Sequence, residues 1–257
     1  MLSRNFSLQA VGDLNWIKEY YNFNAISHSI DELMVLNVER GAKGVEGFAA
    51  NMAELSRNCF MPVAAGGGIR RIEDAYRILD AGADKLVVNT PILKDPELVK
   101  QLVRTFGSQC VVGSVDYKET KEGRIEVFTR DGAESAGISV NDAVMLAKRL
   151  GCGEIYLTSM DRDGTGEGLD LEMIRRVSAM TNVPLIASGG VGKYGHFVEG
   201  IKLGNADAVS TANLFNFIED GLIEARAAMC DSGLDMAVWD FGFKRDDFNK
   251  VPVMKGE

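Results

Sequence analysis

The chain has 257 residues, 46% apolar and 25% charged, a composition that is ordinary for a globular protein and excludes disordered, collagen-like and coiled-coil classes. Its net charge of −9 at pH 7 argues against nucleic acid and anionic membranes as main partners. The sequence contains no apolar run of about 18 residues and no apolar signal-peptide core. We therefore expect a cytoplasmic protein, whose four cysteines, without a C-x-x-C spacing, are reduced thiols.

Seven short apolar runs alternate with amphipathic segments along the chain. The runs are LMVLNV (33–38), MPVAAGGG (61–68), KLVVNT (85–90), CVVGSVD (110–116), EIYLTSMD (154–161), VPLIASGG (183–190) and DAVSTA (207–212). Consecutive apolar and β-branched residues are typical of strands buried on both faces. Apolar residues between the runs recur at helical spacing, as in the segment 45–55. This alternation predicts an α/β fold with a parallel sheet and right-handed crossovers, in a single domain over residues 1–257.

Several turn and capping signals mark the ends of these elements. Asp95-Pro96 and Ser139 predict helix N-termini, and Gly82 and Gly204 follow two helices where a left-handed cap is expected. The segment 117–137 is too long for a plain loop. Its alternating RIEVFTR run and its Asp-Gly turn predict a small hairpin over one end of the sheet.

Two segments of the chain resemble each other, one beginning at Pro62 and the other at Pro184. In each, an apolar strand is followed by a turn of small residues, a helix, and an Ala-Asp pair that ends at Asp84 or Asp207. The offset is 122 residues at the prolines (62 to 184) and 123 at the aspartates (84 to 207). A half-barrel repeated at this offset predicts a pseudo-twofold (β/α)₈ TIM barrel.

The repeat also predicts that one strand is absent. The offset puts the counterpart of CVVGSVD before Met1, and MLSRNFSLQAV contains no comparable apolar run. We therefore expect the first strand of the barrel to be missing from this sequence, and we favour a misplaced start codon as the explanation. Residues 234–257 form a C-terminal extension, in which AVWDF is a candidate to fill the gap. Without a filler, two unpaired strand edges would destabilise the barrel.

Two glycine-rich turns, Gly66-Gly67-Gly68 and Ser188-Gly189-Gly190, each follow a strand and precede a helix. Glycine lets the backbone approach an anion closely, and the helix N-terminus then presents free N–H groups to a phosphate. Asn89-Thr90 and Ala212-Asn213 end the next strand in each half and can complete each binding cup. The pair predicts a substrate with a phosphate at each end. The alternative is that these glycines only form tight turns.

Carboxylates follow two of the central strands. Asp116 ends its strand at the expected catalytic edge, where it can act as a general acid or base, or alternatively cap a loop. Asp163 follows the next strand, and we expect it to bind substrate or to organise its loop. Asp161-x-Asp163 is a conceivable metal pair, but the chain has only two histidines and no clustered ligands, so we predict no metal and no cofactor.

Together these motifs resemble the cyclase subunit of imidazole glycerol phosphate synthase, an enzyme of histidine biosynthesis. The matching stretches are AAGGGIRRIEDA, GADKLVVNTPILKDPELV, FGSQCVVGSVD, LTSMDRDGTGEGLD and IASGGVGKYGHF. The resemblance implies a barrel that receives ammonia from a glutaminase partner and joins it to a bisphosphorylated ribulosyl intermediate. The implied products are imidazole glycerol phosphate and an aminoimidazole carboxamide ribotide. Thr158, Asp163 and Gly164 are then among the substrate-binding residues.

The resemblance also implies roles for residues at both ends of the barrel. Two aspartates at the ends of strands 1 and 5 perform the acid–base chemistry; Asp116 matches the second, and the first has no counterpart. Glu32, Lys85 and Glu154 match three of the four charged residues that ring the ammonia entrance. Without the resemblance, solvent-exposed strand starts would be the simple interpretation of these three. Asp84 matches a position that faces the glutaminase.

The sequence departs from the family pattern at several positions. Asn37 replaces an aspartate, Asn213 replaces a serine, and Asp131 stands where a serine is usual. The opening stretch SRNFSLQAVGDLNWI is closer to a cyclase-like subgroup associated with amidation of bacterial surface sugars. Three hypotheses therefore stay open: a cyclase/lyase subunit, a paralogue that delivers ammonia to a sugar amidotransferase, and a truncated barrel without catalytic activity.

Overall fold

The computed structural model describes residues 2–4, 7–9, 29–39, 44–57, 59, 61–212 and 221–237. The strands are β1 (Leu2–Arg4), β2 (Ser7–Gln9), β3 (Leu33–Leu36), β4 (Val63–Gly66), β5 (Lys85–Val88), β6 (Val111–Glu119), β7 (Ile125–Thr129), β8 (Glu134–Ser135), β9 (Glu154–Ser159), β10 (Leu185–Ser188) and β11 (Ala208–Val209). The helices are α1 (Val45–Ser56), α2 (Ile72–Asp80), α3 (Thr90–Lys94), α4 (Pro96–Phe106), α5 (Val140–Leu150), α6 (Leu171–Met180), α7 (Tyr194–Lys202) and α8 (Gly221–Asp231). All seven predicted apolar runs contain a strand, and helices alternate with them as predicted.

The parallel strands form one curled sheet in the order β11-β10-β9-β6-β5-β4-β3. This is the α/β architecture of a TIM-type (β/α)₈ fold, as the sequence predicts. Within the described ranges, no strand pairs with the outer edge of β3 or β11, and β1 and β2 pair only with each other. The described part of the sheet thus contains seven parallel strands, and the absence of the first barrel strand stays a prediction. The candidate filler AVWDF lies, apart from Ala237, outside the described residues.

The side chains of the parallel strands alternate between the helices and the inside of the curl, because successive residues of a strand point to opposite faces. Leu86, Val111 and Ile155 face the helices and are fully buried in the main hydrophobic core. A second, smaller cluster lies inside the curl. It consists of Ala64, Val87 and Val112, with Met34 and Tyr156 packed against them. Inward-facing side chains of neighbouring strands therefore form layers across the inside of the curl. The layer at the carboxyl ends of the strands forms the candidate site.

The capping residues fall largely where the sequence places them. Asp95 accepts a hydrogen bond from the Leu98 N–H, and Ser139 accepts one from the Asp142 N–H. Gly82 has a φ of +100°, as predicted for a left-handed cap. The same prediction for Gly204 is wrong, because the left-handed residue is Asn205, with a φ of +58°. A Cβ at residue 204 would lie 2.6 Å from the Gly200 carbonyl oxygen, so close packing against α7 accounts for this glycine.

The segment 117–137 forms the predicted hairpin. β6 continues past Asp116 to Glu119 and pairs in antiparallel fashion with β7, and β7 pairs with β8. Arg130, Asp131 and Gly132 all have left-handed backbone conformations, which makes the tight turn at the predicted Asp-Gly. The hairpin thus extends past the part of β6 that pairs with β9, above the candidate site. None of the helices in the described ranges is long and apolar enough to cross a membrane.

Candidate functional site

A cavity of about 1790 Å³ occupies the inside of the curled sheet and opens at the carboxyl ends of the strands. This volume exceeds that of an ordinary ligand pocket, and the lining reaches α7 and α8 through residues such as Phe197 and Ala225. The predicted site residues that line it are Gly67, Gly68, Asn89, Thr90, Asp116, Thr158, Asp163, Gly164, Ser188, Gly189, Gly190 and Ala212. Asn213 lies outside the described residues. The structure thus brings most of the residues predicted for substrate contact to one cavity.

Asp116 lies at the carboxyl end of the cavity with its carboxylate buried, at 9% relative exposure. The Asn89 amide donates a hydrogen bond to one carboxylate oxygen at 3.1 Å, and the Ser114 hydroxyl donates to the other at 3.3 Å. Burial raises the pKa of Asp116 to about 7; the Ser114 hydrogen bond opposes this rise, and the charges of Asp131 and Asp163 add to it. A carboxyl group with this pKa exchanges its proton near neutral pH, which is what acid–base chemistry requires.

Thr158 lies beside Asp116, because the two residues pair in register on β9 and β6. Its buried hydroxyl interacts with the Asp116 carboxyl group and, like Ser114, lowers the pKa of that group against the effect of burial. Thr158 also lines the cavity, where a ligand can contact it. Asp161, by contrast, accepts a hydrogen bond from the Glu119 N–H at 2.8 Å, so its carboxylate holds the end of the hairpin.

The two glycine-rich turns have the same backbone conformation. Gly67 and Gly189 have φ values of +96° and +91°, and a Cβ on either would lie 2.3 Å from a backbone oxygen of the preceding parallel strand, at Asn37 or Ser159. Gly66 has a different constraint, since its Cβ would lie 2.1 Å from the Val87 oxygen. These contacts alone require glycine. Phosphate binding by these turns therefore stays a prediction beside the tight-turn alternative.

The residues that follow β5 also connect neighbouring elements. The Asn89 amide donates to the Ser114 carbonyl oxygen at 3.2 Å as well as to Asp116. The Thr90 hydroxyl accepts a hydrogen bond from the Arg130 N–H at 3.3 Å, which ties the hairpin to the start of α3. Both side chains thus have a structural role within the first predicted cup.

Three charged side chains meet at the opposite, amino-terminal ends of the strands. The Lys85 ammonium lies 2.6 Å from a Glu32 oxygen and 2.8 Å from a Glu154 oxygen. The three side chains are only 21–25% exposed, so they are not simply solvent-exposed strand starts. Burial lowers the pKa of Lys85, but its hydrogen bonds to the two carboxylates outweigh this and raise the pKa overall. The second oxygens of Glu32 and Glu154 are buried and have no hydrogen-bond partner among the described residues.

Asp84, beside this cluster, has a structural partner that the sequence did not reveal. Its carboxylate accepts a hydrogen bond from the Val63 N–H at 2.8 Å, and the repeat-related Asp207 accepts one from the Leu185 N–H at 2.8 Å. Each aspartate thus fixes the start of the neighbouring strand. The Ala-Asp pair common to both segments was the signal for this role. Asp84 is exposed, so contact with a partner stays a prediction.

Sequence reasoning did not single out Tyr156. This residue points into the cavity from β9, and its hydroxyl donates a hydrogen bond to the Ser188 hydroxyl oxygen at 2.9 Å. The available signal was its position, two residues after Glu154 and two before Thr158, which places all three on the inward face of one strand.

A family model and a known protein both match the part of the chain that forms the curled sheet. A family model described as "Histidine biosynthesis protein" matches residues 16–219, a range that includes every strand from β3 to β11. Over 239 residues, the chain is 38% identical to a protein of Parasynechococcus marenigrum (strain WH8102) named "Putative imidazole glycerol phosphate synthase subunit hisF2". That match covers 93% of this chain and 88% of the relative.

Proposed function

The chain belongs to the histidine biosynthesis protein family, and on that premise we propose that it is a cyclase/lyase subunit of the imidazole glycerol phosphate synthase type. The proposed substrates are ammonia, supplied by a glutaminase partner in a heterodimer, and a bisphosphorylated ribulosyl aminoimidazole carboxamide intermediate. The proposed products are imidazole glycerol phosphate and aminoimidazole carboxamide ribotide.

The position and pKa of Asp116 are the main support for this proposal. Closing an imidazole ring and releasing the ribotide both require protons to be donated and removed. A carboxyl group with a pKa of about 7 is available in both protonation states at neutral pH. Asn89 and Ser114 hold its oxygens from one side, so that the carboxylate has a fixed orientation towards the cavity.

The two glycine-rich turns support a substrate with two phosphates. Gly67 and Gly68 lie on one side of the cavity, and Gly189 and Gly190 lie on the other, each pair preceding the helix of its half. Backbone N–H groups near helix N-termini favour phosphate even in an acidic protein, since the attraction is local. A substrate that spans both turns would pass Asp116 between them.

The charged cluster at the other end supports the entry of ammonia. Lys85 links Glu32 and Glu154 at the strand starts, and the next inward layer consists of Ala64, Val87 and Val112. An apolar interior admits uncharged ammonia and opposes the ammonium ion, whose burial costs far more. We assign the cluster as the ammonia gate and the exposed Asp84 beside it to the glutaminase interface.

A second candidate function is delivery of ammonia for amidation of a bacterial surface sugar. The observation that favours it is Asn37, which is buried and lines the cavity just after β3. The resembling cyclases usually have an aspartate there, so the substrate meets an amide instead of a charge. A different acceptor would account for this change.

The experiment that tests the proposal replaces Asp116 by asparagine. We expect ammonium-dependent turnover of the bisphosphorylated intermediate to fall by about 100-fold or more, because the amide cannot exchange a proton. The wild-type pH profile should show an ionisation near the pKa of about 7, and the D116N profile should lack it. The exposed Asp231 on α8 provides the control, and D231N should retain wild-type turnover.

A stability measurement shows whether D116N is folded. Folding raises the pKa of Asp116 from 3.8 to about 7, so the folded state binds this proton more tightly than the unfolded state. The wild type should therefore lose stability relative to D116N as the pH rises from about 4 to 7. Undiminished turnover by folded D116N would disprove the catalytic assignment. A wild type that does not turn over the intermediate would instead favour the sugar pathway or a non-catalytic barrel.

A further inference from the structure

The inward face of β9 presents three polar residues in succession, Glu154, Tyr156 and Thr158. Glu154 belongs to the charged cluster at the strand starts, and Thr158 pairs in register with Asp116. Alternate residues of a strand are about 6.6–6.8 Å apart. Tyr156 therefore lies between the two ends of the barrel interior, next to Ser114 on β6 and Ile186 on β10, with which it pairs in register.

The Tyr156 ring and its hydroxyl have different surroundings. The ring packs against the inward cluster of Ala64, Val87 and Val112. The hydroxyl donates to the Ser188 oxygen at 2.9 Å. Burial raises the pKa of Tyr156, the hydroxyls of Ser188 and Ser210 oppose this rise, and Asp116 adds to it, so the phenol stays protonated as a donor.

This hydrogen bond determines what Ser188 can do. A serine hydroxyl has one proton to donate, and its oxygen also accepts. Because the Ser188 oxygen accepts the phenol proton, the serine proton remains available to another acceptor. Ser188 lines the cavity immediately before Gly189, where the backbone turns away from the sheet. The free serine proton can therefore reach an anion bound at this turn.

The other half of the repeat lacks this pair of hydroxyls. At the offset of 122 residues, Tyr156 corresponds to Met34 and Ser188 corresponds to Gly66. The strand register agrees, since Met34 pairs with Ala64 and Tyr156 pairs with Ile186. The two turns thus have similar backbone conformations, but only the second has a serine hydroxyl bonded to a half-buried phenol.

We propose that Tyr156 is a positioning residue that directs the Ser188 hydroxyl to one phosphate end of the substrate. The turn at Ser188-Gly189-Gly190 then binds that end more tightly than the turn at Gly66-Gly67-Gly68 binds the other. The two turns then differ in affinity for phosphate, and this difference holds the substrate in one orientation relative to Asp116. This inference rests on the proposed two-phosphate substrate.

The test is a double-mutant cycle of Y156F and S188A in the full chain, with KM and kcat for the bisphosphorylated intermediate. A hydrogen bond to a charged group corresponds to roughly 10- to 100-fold in affinity. Y156F keeps the Ser188 hydroxyl and removes only its orientation, so we expect it to raise KM by about 5- to 10-fold and to change kcat less than about 2-fold. Y156F should have no further effect when S188A is present, because both changes remove the same contact.

Each product keeps one of the two phosphates, so product inhibition identifies the affected end. Y156F should weaken inhibition by one product and leave the other unchanged. M34L, at the equivalent position of the other half, is the matched control and should leave KM unchanged. Three results would overturn the proposal: equal weakening of the inhibition by both products, additive effects of Y156F and S188A on KM, or a lower kcat without a change in KM.

A binding measurement separates this inference from the proposed function. Titration of the folded protein with inorganic phosphate should detect a tighter and a weaker site, and Y156F should weaken only the tighter one by about 5-fold. That result without turnover of the intermediate would retain the role of Tyr156 and reject the reaction. Turnover with an unchanged phosphate titration in Y156F would retain the reaction and reject the role.

Discussion

The two halves of the curled sheet, β3–β5 and β9–β11, use the same residues where the backbone requires them. Glycine occupies residues 67 and 189, where the backbone is left-handed and a neighbouring carbonyl oxygen leaves no space for a Cβ. Aspartate occupies residues 84 and 207, where its carboxylate binds the N–H at the start of a neighbouring strand. The halves therefore coincide where side chains serve the sheet itself.

At the strand starts and inside the curl, the side chains of the two halves differ. Lys85 has no basic counterpart, since the repeat-related position is Ala208, and this one lysine serves the glutamates of both halves. Met34 in one half corresponds to Tyr156 in the other. The two halves thus share a backbone, but their inward side chains have diverged, and the proposed difference in phosphate binding depends on this divergence.

The largest expected effect concerns the shared glycines. G67A and G189A should each reduce the free energy of unfolding by about 3–5 kcal/mol, because an alanine there combines a strained φ with a clash against backbone. Urea denaturation of both variants checks this prediction. Equal losses would confirm that the two turns are structurally equivalent, whereas a tolerated alanine in one half would break the comparison.

Gly47 and Gly195 are the matched controls, one in a helix of each half. A Cβ on either meets no atom within 4 Å, and neither has a positive φ. G47A and G195A should leave stability unchanged or raise it by up to about 1 kcal/mol, since alanine favours helix over glycine. A loss in these variants as large as in G67A would show that glycine replacement in general, and not the turn geometry, destabilises the chain.

The sequence predicted the backbone of this molecule better than its contacts. The seven strands follow from apolar runs, and the glycine turns and Asp116 follow from their place after strands. The Asp84 hydrogen bond to Val63 and the Tyr156 bond to Ser188 join residues from different strands, and local spacing gives no information on such pairs. Gly204 shows a third limit, since packing and not a left-handed cap accounts for that glycine.

The next effect in size concerns Lys85, which only one half provides. K85M should reduce the free energy of unfolding by about 1–3 kcal/mol at pH 7, because two partly buried carboxylates lose their cation. The pKa of Lys85 is raised on folding, so its contribution is fully present at neutral pH and is lost only at high pH.

The pH dependence of K85M distinguishes this cause from lost packing. Burial already raises the pKa of Glu32 in the presence of the lysine, and loss of the lysine raises it further. Glu32 in K85M therefore takes up a proton at a higher pH than in the wild type, and the difference in stability between wild type and K85M should narrow as the pH falls. A difference that stays constant on acidification would contradict the electrostatic explanation. K94M, which removes an exposed ion pair with Glu134, should change stability by less than about 0.5 kcal/mol.

The smallest effect tests whether Asp84 has a role beyond the sheet. D84A and D207A each remove one carboxylate acceptor from a strand N–H at 2.8 Å, so both should lose about 1 kcal/mol in the free energy of unfolding. Asparagine retains an acceptor oxygen, and D84N and D207N should lose less. Equal losses in the two halves would show that the structural role is repeated.

Affinity for the glutaminase should show whether Asp84 has a role that Asp207 lacks. If Asp84 contacts that partner through its exposed carboxylate, D84N should weaken the complex severalfold while D207N leaves it unchanged, although both variants keep the strand hydrogen bond. Calorimetric titration of each variant with the glutaminase measures this difference. Equal affinities would confine Asp84 to the structural role that Asp207 also has. A selective loss would instead place the partner at the end of the barrel where Lys85 joins the two glutamates, and would make this end, like the cavity, a region where the two halves have diverged.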